Sequence, residues 1–168
     1  MNAAPDAEAI YASLLAAVRE GIAGRDVSLI GIHSGGAWIA ERLHRDLKIA
    51  RPLGTLSSAF HRDDYGRRGG RVGLPAAMKA TELSFDVNGA DIVLVDDILF
   101  TGRTVRAAMN ELFDYGRPAR IELAVLLDRG GRELPIEARY CGATHLLASP
   151  RNFALKRTDD GRFTLRIE

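Results

Sequence analysis

Residues 92–104 read Ile-Val-Leu-Val-Asp-Asp-Ile-Leu-Phe-Thr-Gly-Arg-Thr. The four apolar residues that open this stretch are mostly β-branched, which is typical of a buried strand. Two acids follow, and Thr104 then begins a segment with apolar residues at helical spacing, which predicts a helix over 104–115. Gly116 and Pro118 end that helix. A strand that leads through a polar turn into a helix indicates an α/β fold.

The flanking sequence repeats this alternation of strand and helix. Further helices are predicted over 6–20 and 37–48, and the apolar face of the 104–115 helix includes Phe113. Strands are predicted over 27–32, 53–60 and 121–127, and a C-terminal hairpin over 153–157 and 162–167. Strands that are apolar along almost their whole length, separated by helices, indicate a mostly parallel sheet that is covered on both faces. The sequence therefore predicts one α/β domain over residues 1–168.

Composition limits the class of protein. The 168 residues are 46% hydrophobic and contain one cysteine, which excludes an internal disulfide and a Cys-rich zinc site. The sequence contains no run of roughly 20 apolar residues, and its first ten residues lack the features of a signal peptide. We therefore expect a cytoplasmic protein with no membrane partner.

The basic residues are unusually rich in arginine. Only three of the 23 are lysines, and the formal net charge is +1. The arginine fork matches phosphate oxygens two at a time, so this bias suits a phosphate-bearing ligand or nucleic acid. A GC-rich genome would produce the same bias, so composition does not choose between these explanations.

The loop at 96–104 has the groups that a sugar phosphate needs. Asp96 and Asp97, expected at a solvent-open strand end, can accept hydrogen bonds from ribose hydroxyls and face a hydrated divalent cation. Hydroxyls and free backbone N–H groups at a helix start, over 101–104, can cradle a monophosphate. Taken separately, the acids could be solvated or cap a helix, and Thr-Gly-Arg-Thr could be an ordinary helix start.

A polar, Gly-rich segment, HRDDYGRRGGRVG, occupies residues 61–73. It has almost nothing to bury, so it cannot pack on itself. A segment of this kind within a compact domain is either disordered or a lid that closes over a ligand.

Residues 93–104 resemble the phosphoribosyl pyrophosphate (PRPP) binding motif of the type I phosphoribosyltransferases. Residues 96–140, with their Phe-Asp-Tyr-Gly-Arg-Pro and Asp-Arg-Gly-x-Arg-Glu-Leu-Pro-Ile runs, resemble more closely the PyrR family of pyrimidine operon regulators and uracil phosphoribosyltransferases. Weaker similarity extends from about Ala9 toward the C-terminus. The resemblance implies the type I phosphoribosyltransferase fold, a central mostly parallel sheet flanked by helices, with a flexible lid over 61–73 and a small hood from the N- and C-terminal segments.

The resemblance also implies an activity. Uracil and PRPP would give uridine monophosphate (UMP) and diphosphate, with Mg²⁺ held by PRPP and contacted indirectly by Asp96 and Asp97. Those acids would be catalytic together with Arg62, which would neutralise the departing diphosphate. The residues implied to bind PRPP and its phosphates are Thr101, Gly102, Arg103 and Thr104 for the 5-phosphate, and Ser34, Gly35 and Gly36 for the diphosphate.

The base side of the site rests on three residues. Purine-using relatives have an Asp where this chain has Phe100, so the resemblance implies a pyrimidine. Tyr140 and Cys141 match the family's hood over the base, where an aromatic ring can stack. From the residues alone, Tyr140 could equally be a core side chain under a loop.

The sequence departs from the family at three places. The diphosphate turn has His33-Ser34-Gly35-Gly36 where the family has a Lys-Thr-Arg-Gly type of sequence, Gly131 replaces a His, and residues 143–146 replace Lys-Asn-Ile-Pro. His33 could contact a phosphate or simply face solvent.

Three functions follow as competing hypotheses. The first is a uracil phosphoribosyltransferase, which the retained Asp96 and Asp97 favour. The second is a nucleotide-sensing regulator that binds a pyrimidine leader RNA, which the altered diphosphate turn favours; its basic residues would come from Arg19, Arg25, Arg129, Arg132 and Arg139. The third is a phosphoribosyltransferase for another base. The family's members form homodimers or larger homo-oligomers, and we expect one here.

Overall fold

A computed structural model of the chain describes residues 3–57 and 80–168. Its main sheet contains five parallel strands in the order β2-β1-β3-β4-β5. These are β1 (Val27–Ile32), β2 (Gly54–Leu56), β3 (Asp91–Leu99), β4 (Arg120–Asp128) and β5 (Tyr140–Thr144). The helices are α1 (Ala7–Gly21), α2 (Gly35–Asp46) and α3 (Arg103–Tyr115), and a separate antiparallel hairpin consists of β6 (Phe153–Arg157) and β7 (Phe163–Ile167). In this part of the chain no helix has the length and apolar character to cross a bilayer.

The parallel sheet, the helices and the C-terminal hairpin confirm the predicted architecture. The predicted start of α1 is also confirmed, because the Asp6 carboxylate caps the helix by accepting from the N–H groups of Glu8 and Ala9 at 3.0 and 3.4 Å. The 61–73 segment lies outside the described residues, as do positions 58–60 of the strand predicted over 53–60. The described part of that strand is shorter than predicted, at Gly54–Leu56.

Three predicted boundaries or faces differ from the structure. Strand β3 continues through Asp96 and Asp97 to Leu99, because its pairing with β4 extends as far as Leu99 opposite Asp128. Helix α2 begins at Gly35 and not at Ala37. Phe113 was expected on the buried face of α3, but it is 56% exposed.

Alternation along the strands builds a core on each face of the sheet. Val93 and Val95 of β3 pack with α1, α2 and the hairpin, whereas Ile92 and Leu94 pack beneath α3. This two-residue period is the geometry of a strand whose neighbours cover both of its sides. The cores fix the sheet, so the loops at its carboxyl edge are carried on a rigid support.

A charged cluster joins the C-terminal hairpin to α1 and α2. The Glu8 carboxylate accepts from both Nη atoms of Arg42 at 2.8 Å and from the backbone N–H of Phe163 at 2.6 Å. The Arg42 guanidinium carbon also lies 4.1 Å from the centre of the Tyr11 ring. One carboxylate therefore holds the two helices and the hairpin together.

Substitution of Glu8 by Gln is expected to lower the free energy of unfolding by about 0.5–1 kcal/mol near neutral pH, the range of a partly exposed ion pair. The hydrogen bond from Arg42 lowers the pKa of Glu8 below its ordinary value of 4.5. The stabilisation is therefore present above that ordinary value and is lost as the pH falls through the lower pKa of the folded state. Urea unfolding of the wild type and of Glu8→Gln, at neutral pH and at a pH below the folded-state pKa of Glu8, measures the difference in the free energy of unfolding.

Glu20→Gln, on an exposed position of the same helix, is the matched control and should change little. An equal loss for Glu8→Gln in acid and at neutral pH would contradict the role assigned to its charge.

Candidate active site

The carboxyl ends of β1 and β3 lie side by side at the point where the chain reverses its direction across the sheet. The chain passes from β1 outward to β2 and then returns to β3 on the other side of β1. In open α/β sheets this switch point forms a crevice where ligands bind. The His33–Gly36 turn follows β1 here, and the two acids stand near the end of β3.

The first turn of α2 touches the end of β3. A Cβ atom on Gly35 would lie 2.1 Å from Oδ2 of Asp97, and one on Gly36 would lie 2.4 Å from the Val95 carbonyl oxygen. Only a residue without a side chain permits this approach. The structure thus brings the predicted diphosphate turn against the predicted ribose acids.

The two acids have different environments. Asp96 is 4% exposed and its Oδ1 accepts the N–H of Asp97 at 2.9 Å. Asp97 is partly exposed, and its Oδ1 accepts the N–H of Ile98 at 2.8 Å. The expectation that both would stand at a solvent-open end is wrong for Asp96, because the strand continues past it and the Gly36 turn covers it.

The predicted phosphate loop forms the start of α3. Gly102 is the N-cap with a φ of +95°, and Oγ1 of Thr101 accepts the Arg103 N–H at 3.2 Å. A left-handed glycine here turns the backbone so that the helix start faces the crevice. The Arg103 guanidinium instead forms an ion pair with Glu133 at 2.8 Å on the surface.

A second loop braces the phosphate loop. The N–H groups of Glu133 and Leu134 both donate to the Thr101 carbonyl at 3.0 Å. Arg132 donates to the Phe100 carbonyl and to Oδ2 of Asp128, each at 2.6 Å. From the sequence, this Asp-Arg-Gly-Gly-Arg-Glu run was interpreted as a family signature and its Arg129 and Arg132 as RNA contacts. Its structural role was missed, and the signature itself was the available signal.

A cleft of about 590 Å³ opens at this edge of the sheet. Of the predicted site residues, it is lined by Ser34, Gly35, Asp96, Asp97, Phe100 and Thr104. The opposite wall comes from the C-terminal hairpin and the residues before it, including Asn152, Phe153 and Lys156. The C-terminal segment, one of the two segments predicted to form a hood, therefore lines the cleft.

Tyr140 is not in this cleft. Its hydroxyl donates to Glu122 at 2.7 Å, and its ring lies against the end of α1, where a Cβ on Gly21 would be 2.2 Å from it. Arg25, which binds both Asp91 and Glu122, lies on the same side. Burial and the Glu122 bond raise the pKa of Tyr140. The predicted stacking of this ring on a base is wrong, because its side chain points toward the amino ends of β3 and β4.

Cys141 packs with the core beneath α3, and its thiol donates to the Ala143 carbonyl at 3.1 Å. Burial raises the pKa of this thiol. The residues that line the cleft in the described chain do not include it, so of the three predicted base contacts only Phe100 lines the cleft.

Several predicted basic contacts have internal partners. Arg62 lies outside the described residues. Arg25, Arg129 and Arg132 were considered as RNA contacts, but each is hydrogen-bonded within the fold. Arg19 and Arg139 are exposed. At the diphosphate turn, the backbone N–H of His33 donates to the backbone carbonyl of Leu56 at 2.9 Å.

The chemistry of the donor set fits the expected Mg²⁺. Within residues 3–57 and 80–168, no cluster of three or more His, Cys, Asp or Glu side chains could hold a metal ion. Two neighbouring carboxylates do supply hard oxygen ligands, and Mg²⁺ usually binds through one or two such groups together with substrate phosphates. Asp96 and Asp97 suit that shared mode of binding.

Comparisons with known proteins establish the family and the fold. The family described as the phosphoribosyl transferase domain matches residues 1–146. The fold is similar to that of a hypoxanthine-guanine phosphoribosyltransferase from Bacillus anthracis, with a TM-score of 0.64 and 16% identity over 87% of this chain and 82% of that one. A hypoxanthine phosphoribosyltransferase from Trypanosoma cruzi gives 0.63 and 20% over 88% and 79%. The fold and the matched family define a type I phosphoribosyltransferase.

Curated relatives narrow the family. The chain is 51% identical to the bifunctional protein PyrR of Ralstonia nicotianae over 97% of this chain and 94% of the relative. It is 46% identical to the bifunctional protein PyrR of Nitrosococcus oceani over 83% and 77%. The chain belongs to the PyrR family.

Substitution of Gly36 by Ala is expected to lower the free energy of unfolding by about 1–3 kcal/mol, the usual cost of overpacking. The new methyl group would meet backbone atoms, the Val95 carbonyl oxygen and the Asp96 Cα at 2.4 and 2.9 Å. At an unobstructed position within a helix, the same substitution would instead raise the free energy of unfolding by about 0.5–1 kcal/mol. Urea unfolding shows whether the free energy of unfolding falls or rises.

Ser34→Ala is the control from the same turn, since its side chain makes no capping bond. Stabilisation by Gly36→Ala would show that the turn and β3 are not in close contact.

Proposed function

We propose that the chain transfers the phosphoribosyl group of PRPP to uracil and releases UMP and diphosphate. The observation that carries this proposal is the meeting of three elements in one cleft: the acids of β3, the turn after β1 and the start of α3. A pentose with a phosphate at one end and a diphosphate at the other needs these three elements. Membership of the PyrR family supports the same substrates.

The acids and the helix start would orient the sugar. Asp97, which is partly exposed, would accept a hydrogen bond from one ribose hydroxyl, and Asp96 would accept one from the neighbouring ribose hydroxyl. The backbone N–H groups of residues 102 and 104 and the Thr104 hydroxyl would donate to the 5-phosphate, which the positive end of the α3 dipole also favours. Contacts at both ends of the pentose fix the carbon where the bond breaks.

The turn at 34–36 would receive the departing diphosphate through backbone groups, since it has no basic side chain. Bound Mg²⁺ would supply positive charge to the leaving group, and Asp96 and Asp97 would contact its hydration shell. Arg62 is proposed as the protein cation for the same group. Charge that develops as the bond breaks is thus balanced on the diphosphate side of the sugar.

Phe100 favours a pyrimidine. It lines the cleft beside the acids and presents no carboxylate that could bind a ring nitrogen of a purine. Incubation of the protein with PRPP, Mg²⁺ and either uracil, hypoxanthine, guanine or orotate tests the proposal directly. UMP should form from uracil; folded protein that forms no UMP would refute the proposed activity, and turnover of another base would reassign it.

Substitution of Asp97 by Asn is expected to reduce kcat/KM for PRPP at least about 100-fold, through the lost charge at the ribose and at the Mg²⁺ shell. The fold should survive, since the side chain is partly exposed and Asn keeps the oxygen that accepts from Ile98. Steady-state kinetics and thermal unfolding measure the two effects.

Asp114→Asn, on an exposed position of α3, is the matched control. Full activity of Asp97→Asn, or its loss together with the fold, would remove Asp97 from the catalytic machinery.

Substitution of Thr104 by Val is expected to raise KM for PRPP by the equivalent of about 1–3 kcal/mol, the value of a hydrogen bond to a charged group. KM for uracil should stay close to its original value, because Thr104 would face the phosphate. Thr164→Val, on the exposed face of β7, is the control. An unchanged KM for PRPP would exclude the Thr104 hydroxyl from the phosphate site.

We also propose that the protein binds pyrimidine leader RNA in a UMP-dependent way. The observation that favours this second function is the name of its relatives, which are described as bifunctional and of which one covers 97% of the chain. Exposed Arg19 and Arg139 are candidate phosphate contacts. An electrophoretic shift of such an RNA that UMP strengthens is the expected result, and absence of any shift would refute it.

We propose further that the chain forms a homo-oligomer. Phe113 and Tyr115 at the end of α3 are exposed apolar side chains, which suit a contact between copies. Sedimentation of wild-type protein and of a Phe113→Ser variant tests this. A wild-type monomer would refute the proposal.

A further inference from the structure

Arg129 is a buried cation in the wall of the cleft. It is 3% exposed and lines the cleft together with Phe100, Asn152 and the acids of β3. A buried charge is costly unless it is well bonded, so its position needs a reason. The proposed chemistry at the sugar and at the diphosphate does not use it.

The backbone of Arg129 is fixed at both ends. Its N–H donates to the Leu99 carbonyl at 3.0 Å, and its own carbonyl accepts from the Leu147 N–H at 3.3 Å. These bonds join the end of β3 to the segment that follows β5. The side chain therefore starts from a defined position beside Phe100.

The guanidinium of Arg129 makes three directed contacts. One Nη atom donates to Oδ1 of Asn152 at 2.7 Å, and the other donates to the Leu147 carbonyl at 3.0 Å. Its central carbon lies 3.9 Å from the centre of the Phe100 ring. A flat fork can stack and donate in two directions at once, and a lysine ammonium cannot.

Phe100 is held from other sides as well. Its carbonyl accepts from Arg132, and Gly131, with a φ of +76°, lies so close that a Cβ there would be 2.5 Å from the ring. The family's His at position 131 would not fit against this ring. The absence of a side chain at 131 leaves room for this ring, and the stacked guanidinium of Arg129 supports it.

We propose that Arg129 is a positioning residue for the planar, single-ring base: it locks the Phe100 ring and ties it through Asn152 to the hairpin that forms the opposite wall. This inference rests on the proposed function, because it assigns the Phe100 end of the cleft to the base. The sugar and phosphate contacts are anchored separately, through Asp97 and the start of α3. Arg129 therefore supports binding of the base and not of the sugar phosphate.

The test compares two ligands that differ only at C1 of the sugar, where UMP has uracil and ribose 5-phosphate has a hydroxyl. Trp38, the only tryptophan in the sequence, lines the same cleft, so its fluorescence reports occupancy without any need for turnover. Arg129→Lys is expected to weaken UMP binding about tenfold, the loss of roughly 1.4 kcal/mol, and to leave ribose 5-phosphate binding within about twofold. Arg151→Lys, at an exposed position next to Asn152, is the matched control and should alter neither.

Two further measurements separate positioning from a general structural role. In steady state, Arg129→Lys should raise KM for uracil and leave KM for PRPP unchanged, whereas a loss of folded protein would lower the apparent kcat and leave both KM values unchanged. Asn152→Ala should shift UMP binding in the same direction, and its effect should not add to that of Arg129→Lys in the double variant. Asn152 is exposed, so this variant decides the question if Arg129→Lys does not fold.

Unchanged UMP binding in Arg129→Lys, or equal losses for UMP and ribose 5-phosphate, would overturn the inference. Wild-type protein that binds UMP no more tightly than ribose 5-phosphate would overturn it too. If wild-type protein forms no UMP from uracil but prefers UMP to ribose 5-phosphate, the proposed activity fails, and the binding comparison still decides the role of Arg129.

Discussion

The contact between the first turn of α2 and the end of β3 is the constraint on which the rest of the site depends. Gly35 and Gly36 lie so close to Asp97 and Val95 that a methyl group would not fit. The parallel sheet creates the opportunity, because it places β1 next to β3 with their carboxyl ends together. The two glycines then remove the side chains that would hold these ends apart, and one cleft forms where two loops would otherwise be separate.

The loop after β4 completes the site from the other side. Its backbone N–H groups at residues 133 and 134 hold the Thr101 carbonyl, and its Arg132 holds the Phe100 carbonyl. Residues 128–134 thus support both the phosphate loop and the aromatic residue beside it. This arrangement gives a physical reason why the Asp-Arg-Gly-Gly-Arg-Glu run accompanies the Asp-Asp and Thr-Gly-Arg-Thr runs in one sequence: the first run binds the carbonyls of Phe100 and Thr101, which lie between the acids and the start of α3.

Local sequence alone predicted that the acids of β3 and the start of α3 form one sugar-phosphate loop, because the spacing and residue types of residues 96–104 belong together within one strand–turn–helix unit. The role of the glycine turn after β1 was implied by the family resemblance and not by local spacing. The side chain of Tyr140 was misplaced because its direction depends on Glu122 and on the end of α1, which are distant in sequence. Arg129 was considered only as a surface cation, since neither its burial nor its contact with Asn152 has a local signal.

The two ends of the cleft are anchored by different kinds of group. The phosphate loop is held mainly through main-chain hydrogen bonds to Thr101, which form whichever side chains occupy the bracing positions. The Phe100 end depends on the identities of Arg129, Gly131 and Asn152. Under the proposed assignment of this end to the base, changes at these three positions would alter which nucleobase is accepted and would leave the main-chain bonds of the phosphate loop intact.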